Sequence, residues 1–152
     1  MHIKKARKNI EMPLMSWQNK TMNEPIWLTM GIIETIQFDL IKMHGGHPGY
    51  RDQALVEAAL ARPKNRLNDN LDSDIFTLAA SYGFGLAKNH GFIDGNKRVA
   101  LMAMYIFLYL NGYELDAPEY EVVAVIMNLS SGELDETGLA DWLRQAATQV
   151  KI

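Results

Sequence analysis

The residues best suited to chemistry stand together in one stretch, His90-Gly91-Phe92-Ile93-Asp94-Gly95-Asn96-Lys97-Arg98, followed at once by the apolar run Val99–Leu110. A polar, glycine-containing loop that feeds directly into a buried helix aims the helix's free N–H groups, and the positive end of its dipole, at whatever the loop holds. The natural guest is an anion, most often phosphate. Gly95 permits a backbone shape that points successive N–H groups at one spot, and Lys97 and Arg98 add two positive charges one turn away. Asp94 is out of place beside an anion unless Mg²⁺ bridges carboxylate and phosphate, an arrangement that ion favours. His90, four residues earlier, is the side chain here that exchanges a proton near neutral pH. Taken singly, each residue has a plain structural use: Asp94 as an N-cap, His90 as a solvated helix end, Lys97 and Arg98 as an exposed first turn. Taken together they point to a site, because cations in a first helical turn oppose the dipole and need another reason to be there.

Helices must position this loop. Ile32, Ile33, Ile36, Leu40 and Met43 recur at helical spacing between Trp27 and Met43, with Thr29 as the N-cap. His44-Gly45-Gly46-His47-Pro48-Gly49 is a breaker-rich loop, and with His90 its two histidines lack the spacing of a helical metal site. Asp52 caps a second helix carrying Leu55, Val56, Ala59 and Leu60, which Pro63 is expected to end, leaving 64–72 as a polar connection. A third helix starts at Asp72 or Ser73 with Ile75, Leu78, Ala79, Tyr82 and Leu86 on one side. Gly83 and Gly85 inside it each cost about 1 kcal/mol relative to Ala, which predicts that another helix approaches closely there. Lys88 near its end either faces phosphate or favours the helix C-terminus.

Val99–Leu110 is apolar on every face and therefore belongs at the centre of an all-α domain, with Asn111-Gly112 as its stop. Surrounded in that way, it would hold the preceding loop rigid. Phe92 is then expected to anchor the loop in the core and do no chemistry. Asp116 caps a further helix from Ala117 and Pro118, carrying Val122, Val123, Ile126 and Leu129. A turn at 130–133 leads to a last helix with Leu139, Trp142, Leu143, Ala146 and Val150. No strand of convincing length is found.

The chain has 152 residues, a length that suits one domain able to bury about 70% of its unfolded surface. It has no Cys, which excludes disulfide and thiolate chemistry and fits a reducing cytosol. The longest apolar run is twelve residues, short of the roughly 20 that span a bilayer. The expectation is a cytoplasmic protein with no membrane partner. The net charge of −3 is uneven: residues 1–21 hold five basic side chains against Glu11, leaving a net −7 on residues 22–152. An acidic body argues against direct nucleic-acid binding. Residues 1–21 read as a flexible basic extension, Met22 fits as a start, and 22–152 as the domain.

The loop resembles the signature of the Fic/Doc superfamily, specifically its death-on-curing (Doc) branch, which reads His-x-Phe-x-Asp-x-Asn-Lys-Arg. A second stretch, His44-Gly45-Gly46-His47-Pro48-Gly49-Tyr50-Arg51-Asp52, resembles the Gly-Gly-x-x-Gly-x-Arg-Asp segment of that branch, and the likeness runs from about Trp27 to Val150. The resemblance implies a compact helical fold and a toxin of a toxin–antitoxin module. Such a toxin uses ATP or another nucleoside triphosphate to phosphorylate a Ser or Thr hydroxyl of a translation elongation factor, here elongation factor Tu, and a cognate antitoxin restrains it. It assigns His90 to base catalysis, Asp94 to Mg²⁺, Gly95, Asn96, Lys97 and Arg98 to the phosphates, and the 44–52 segment to the border of the target site. Lys88 stands where that branch often has Arg, giving charge without the bidentate fork.

Two other readings stand beside it. The Fic branch transfers AMP to protein hydroxyls with a loop ending Gly-Asn-Gly-Arg-x-x-Arg, but Lys97 replaces the second Gly here and Leu101 the last Arg, and Leu cannot hold phosphate. A non-catalytic helical interaction domain is the other, and the intact His90, Asp94, Asn96, Lys97 and Arg98 speak against it.

Overall fold

The computed structural model describes residues 24–150, and the basic extension 1–21 lies outside them. In chain order these residues form α1 (Met30–His44), α2 (Gln53–Asp69), α3 (Ile75–Asn89), α4 (Asn96–Leu110), β1 (Tyr113–Leu115), α5 (Glu119–Ser131), α6 (Glu136–Ala146) and β2 (Ala147–Gln149). The fold is all-α apart from one small ribbon, in which β1 and β2 pair antiparallel with Glu114 opposite Thr148.

Two helices share the centre. In α4 every residue from Val99 to Leu110 except Tyr109 is buried, as a helix apolar all round requires. It packs on α1, α3, α5 and β1, while α3 packs on α2, α4, α5 and α6. Small residues let α3 take this second central place: Ala79, Ala80, Ser81, Gly83, Gly85 and Ala87 are all buried. The expected close approach is present on both sides. A Cβ on Gly83 would run into Met104 of α4, and one on Gly85 would lie 3.2 Å from the Cβ of Ala59 in α2.

The chain leading into α1 is pinned across this central pair. Asn111, buried at the end of α4, accepts from Ile26 N–H at 2.8 Å and donates to Ile26 O at 3.0 Å. Leu28 N–H donates to the Tyr82 hydroxyl at 3.1 Å, and burial pushes that phenol up to about 12. No helix among the described residues is long and apolar enough to cross a membrane.

Four sequence expectations are corrected. Pro63 does not end α2 but lies buried inside it, and the helix runs on to Asp69. The missing N–H weakens one turn, yet tertiary contacts hold the second half: Arg62 and Arg66 both pair with Glu136 at the start of α6, and Arg62 lies 5.0 Å from the Phe84 ring centroid. The cap of α3 is Asp74, which accepts from Thr77 N–H at 2.8 Å, rather than Asp72 or Ser73. Asp116 does not cap α5: its N–H bonds Ala146 O at 3.0 Å, next to the ribbon, and the helix opens after Pro118 with no side-chain cap. The last helix stops at Ala146, and Val150 N–H bonds Gly112 O at 2.8 Å beyond the ribbon. Strands of three residues, drawn together from distant parts of the chain, leave no local period to read.

Candidate active site

The loop is built where α3 stops and α4 starts. His90 ends α3 in the left-handed region at φ 51°, ψ 46°, and it is the only non-glycine residue with positive φ among those described. Such a conformation costs on the order of 1 kcal/mol or more and persists only where neighbours impose it. Arg51 is one such neighbour. Its Nε donates to His90 O at 2.6 Å and its Nη2 to Asn89 O at 3.2 Å, so one guanidinium satisfies the last carbonyls of α3 and faces its negative dipole end. Asn89 Nδ2 adds a bond to Leu55 O at 2.9 Å. The His90 side chain is left exposed to solvent.

The next residues are clamped from below. Gly91 O accepts from both Arg51 N–H (2.8 Å) and Asp52 N–H (2.9 Å). A side chain on Gly91 is excluded, since a Cβ would come within 3.0 Å of Val56 N and 3.2 Å of Asp52 O. Phe92 is buried as expected, with its ring stacked on Tyr50 at 5.1 Å between centroids. Burial, then the nearby Glu34 carboxylate, raises the Tyr50 phenol above its ordinary value, so it stays protonated. Asn96 closes the loop on itself, its Oδ1 accepting from Phe92 N–H and its Nδ2 donating to Phe92 O, both at 3.0 Å. These bonds use Oδ1 and one N–H of Nδ2, so the second Nδ2 N–H and the backbone N–H are what Asn96 has to offer an anion.

Asp94 does not cap α4. The N-cap is Gly95, at φ 82°, and no side chain bonds the first-turn N–H groups. By helix geometry the N–H groups of Asn96, Lys97 and Arg98 have no partner inside the helix. Lys97 and Arg98 are exposed on that same turn. Asp94 is half-buried and its Oδ2 accepts from His47 N–H at 2.7 Å, which leaves Oδ1 for another partner. Among the described residues no group of three or more His, Cys, Asp or Glu is placed to hold a metal ion, so any ion at Asp94 would need ligands from outside the protein as well. Mg²⁺ bound by one carboxylate, substrate phosphates and waters suits that donor set.

Lys88 is half-buried near the end of α3, its Nζ 5.8 Å from the Phe84 ring centroid in a cation–π contact. Two residues that sequence reasoning left without a role prove to hold the loop. Arg51 was legible only as part of a motif. Gln37 was legible in principle, since it occupies a core position of α1, four residues after Ile33 and three before Leu40, where a polar side chain needs a reason.

This arrangement meets its relatives over the same span. Residues 27–108 match the Fic/DOC family model. The chain is 35% identical over 106 residues to the protein kinase doc of Escherichia phage P1, a match covering 69% of this chain and 82% of that protein. It is 40% identical over 75 residues to the toxin Doc of Mycolicibacterium smegmatis, covering 48% of this chain and 57% of that one. Two solved structures are similar in part. One is the N-terminal Fic domain of a Bartonella quintana Bep effector with bound ADP, with a TM-score of 0.44 and 19% identity over 63% of this chain and 49% of that one. The other is BepC of Bartonella tribocorum with bound AMPPNP, with a TM-score of 0.42 and 21% identity over 63% and 50%. The family match takes in α1 to α3, the His90 loop and most of α4, and with the phage relative matched over most of its length, this chain belongs to the Fic/DOC family.

Proposed function

We propose that this chain is a Doc-type toxin that transfers the terminal phosphoryl group of a nucleoside triphosphate, ATP in the simplest case, to a Ser or Thr hydroxyl of a cytoplasmic protein, with elongation factor Tu as the first candidate. The observation that carries the proposal is the start of α4: a central helix with no side-chain cap and two exposed cations in its first turn, reached from an exposed His90 through a loop clamped at nearly every residue. The names of the two relatives, a protein kinase and a toxin, support the same reading.

Phosphoryl transfer asks a protein mainly for positioning and charge stabilisation. The N–H groups of Asn96, Lys97 and Arg98 and the two cationic side chains supply these for the phosphates. The His90 imidazole takes the proton of the target hydroxyl as its oxygen bonds phosphorus, and the bond from phosphorus to the departing diphosphate breaks. Asp94 would hold Mg²⁺ through its free oxygen, and the ion, when bound, neutralises phosphate charge. Leu101 favours this chemistry over AMP transfer: it is 1% exposed and apolar where the Fic loop carries its last Arg, so it offers no contact for a second set of phosphates. As a toxin the protein would need an antitoxin partner, and the −7 balance of residues 22–152 suits a protein target better than nucleic acid.

The test is intact-mass analysis of elongation factor Tu after incubation with this protein, ATP and Mg²⁺, with His90→Ala in parallel. A gain of about 80 Da that is lost in the mutant is expected for phosphoryl transfer. A gain of about 329 Da would assign AMP transfer instead. If elongation factor Tu is unchanged while proteins of a whole-cell lysate gain phosphate, the target is wrong and the chemistry right.

A further inference from the structure

Gln37 is a buried polar residue that the chemistry proposed above does not use. It is 2% exposed, in the middle of α1. Its Nε2 donates to Asp94 O at 3.1 Å and to His47 O at 3.3 Å, and its Oε1 accepts from Gly49 N–H at 3.2 Å. Both ends of one carboxamide are thereby used, and three backbone groups from two loops are fixed to one helix. The two loops also touch directly. His47 N–H bonds the Asp94 carboxylate at 2.7 Å, and a Cβ on Gly46 would lie 3.1 Å from both Cβ and Oδ2 of Asp94. Asp94 is therefore held by its main chain through Gln37 and by its side chain through a segment that Gln37 also holds.

We infer that Gln37 is a positioning residue for Asp94, whose carboxamide fixes the aspartate and residues 47–49 so that one carboxylate oxygen stays presented to a metal shared with substrate phosphates. This role rests on the phosphoryl-transfer reading. Gln37 touches neither substrate nor metal and acts through Asp94. Removing the hydrogen bonds that orient a metal ligand typically weakens metal binding 10–100-fold, even with the ligand itself intact. An amide that served stability alone would have no such selective effect.

The test is calorimetric binding of ATP to the full chain carrying His90→Ala, which leaves the nucleotide unconsumed, with Mg²⁺ and again with EDTA. The background chain should bind more tightly with Mg²⁺. Adding Gln37→Met should cut that Mg²⁺-dependent gain by at least about tenfold while affinity in EDTA stays within about twofold. Asp94→Asn should remove the gain, and Gln37→Met on top of Asp94→Asn should change nothing further, the signature of two residues acting as one unit. Gln37→Leu, which lacks both donor and acceptor, repeats the comparison if the methionine variant does not melt cooperatively. An unchanged gain, or equal losses with and without Mg²⁺, overturns the assignment of Gln37. A background chain that gains nothing from Mg²⁺ overturns the metal-assisted reading itself, and this role with it.

Discussion

The N-termini of α3 and α4 belong to neighbouring central helices and are built in opposite ways. At the start of α3, Asp74 accepts from Thr77 N–H and pairs with the Arg144 guanidinium at 2.8 Å, fastening the helix to α6. Thr29, Asp52 and Asp135 cap α1, α2 and α6 in the same manner, and α5, which lacks a side-chain cap, has Glu119 and Glu121 in its first turn. At the start of α4 there is no cap, no acid in the first turn, and two exposed cations. The lesson is one of purpose. A helix start that serves only the fold is completed by its own chain, whereas this one has no side-chain cap, the feature on which the proposed phosphate site rests. The stability forgone is small, about 1 kcal/mol for a missing cap, and is offset by the burial of nearly the whole helix behind it.

The contrast can be broken most forcefully at the loop that feeds α4. His90→Ala should lower phosphate transfer by about 10²–10⁴-fold, the usual worth of a general base, while the midpoint of thermal unfolding moves by no more than about 2 °C. Transfer measured by intact mass and unfolding by calorimetry would check both halves. Next in size, reversing the two cations together, Lys97→Glu with Arg98→Glu, should weaken nucleotide binding by about 100-fold or more and yet raise the melting temperature by about 1–4 °C, because acids suit a first turn. A melting temperature that falls in that double variant would sink the view that α4 gives up stability for a ligand.

The opposite pole should behave conventionally. Asp74→Ala is expected to cost about 1 kcal/mol from the lost cap, about 2–4 °C in melting temperature, with turnover per folded molecule unchanged. The smallest effect is one of pH. Burial pushes the Asp74 carboxyl up, but the bonds from Thr77 and the Arg144 guanidinium outweigh it and hold it below its ordinary value. A carboxylate depressed in the folded state stabilises the fold above the unfolded value, near pH 4, and that contribution is lost as pH falls through the lowered value. The gap in melting temperature between the wild-type chain and Asp74→Asn should therefore be wider at pH 7 than at pH 3.

Much of this molecule was legible in its residues because the signals are local. The apolar period of α1, the all-round apolarity of Val99–Leu110, the Thr29 cap and the glycines of α3 can each be read from a short stretch of residues. The nine residues from His90 to Arg98 gave the site its residue types and its anion logic in the same way. At two points where expectation and structure part, a contact from far along the chain is involved. Pro63 is carried inside α2 by arginines that reach Glu136, about 70 residues on, and the backbone at Asp116 is paired with Ala146. The bonds of Asn96 to the Phe92 backbone, local as they are, become visible only once the loop is closed.

The sequence by itself determined the residue types on offer: a histidine, an aspartate, a glycine and two cations, in fixed order along nine residues. Only the tertiary structure decided how these are held. Arg51 holds the His90 carbonyl, Gln37 ties Asp94 to α1, and α3 joins α4 at the centre so that the loop between them rests on two buried helices. The physical reason is that side-chain type is a property of one residue, whereas orientation is set by hydrogen bonds and close packing between segments that only folding brings together.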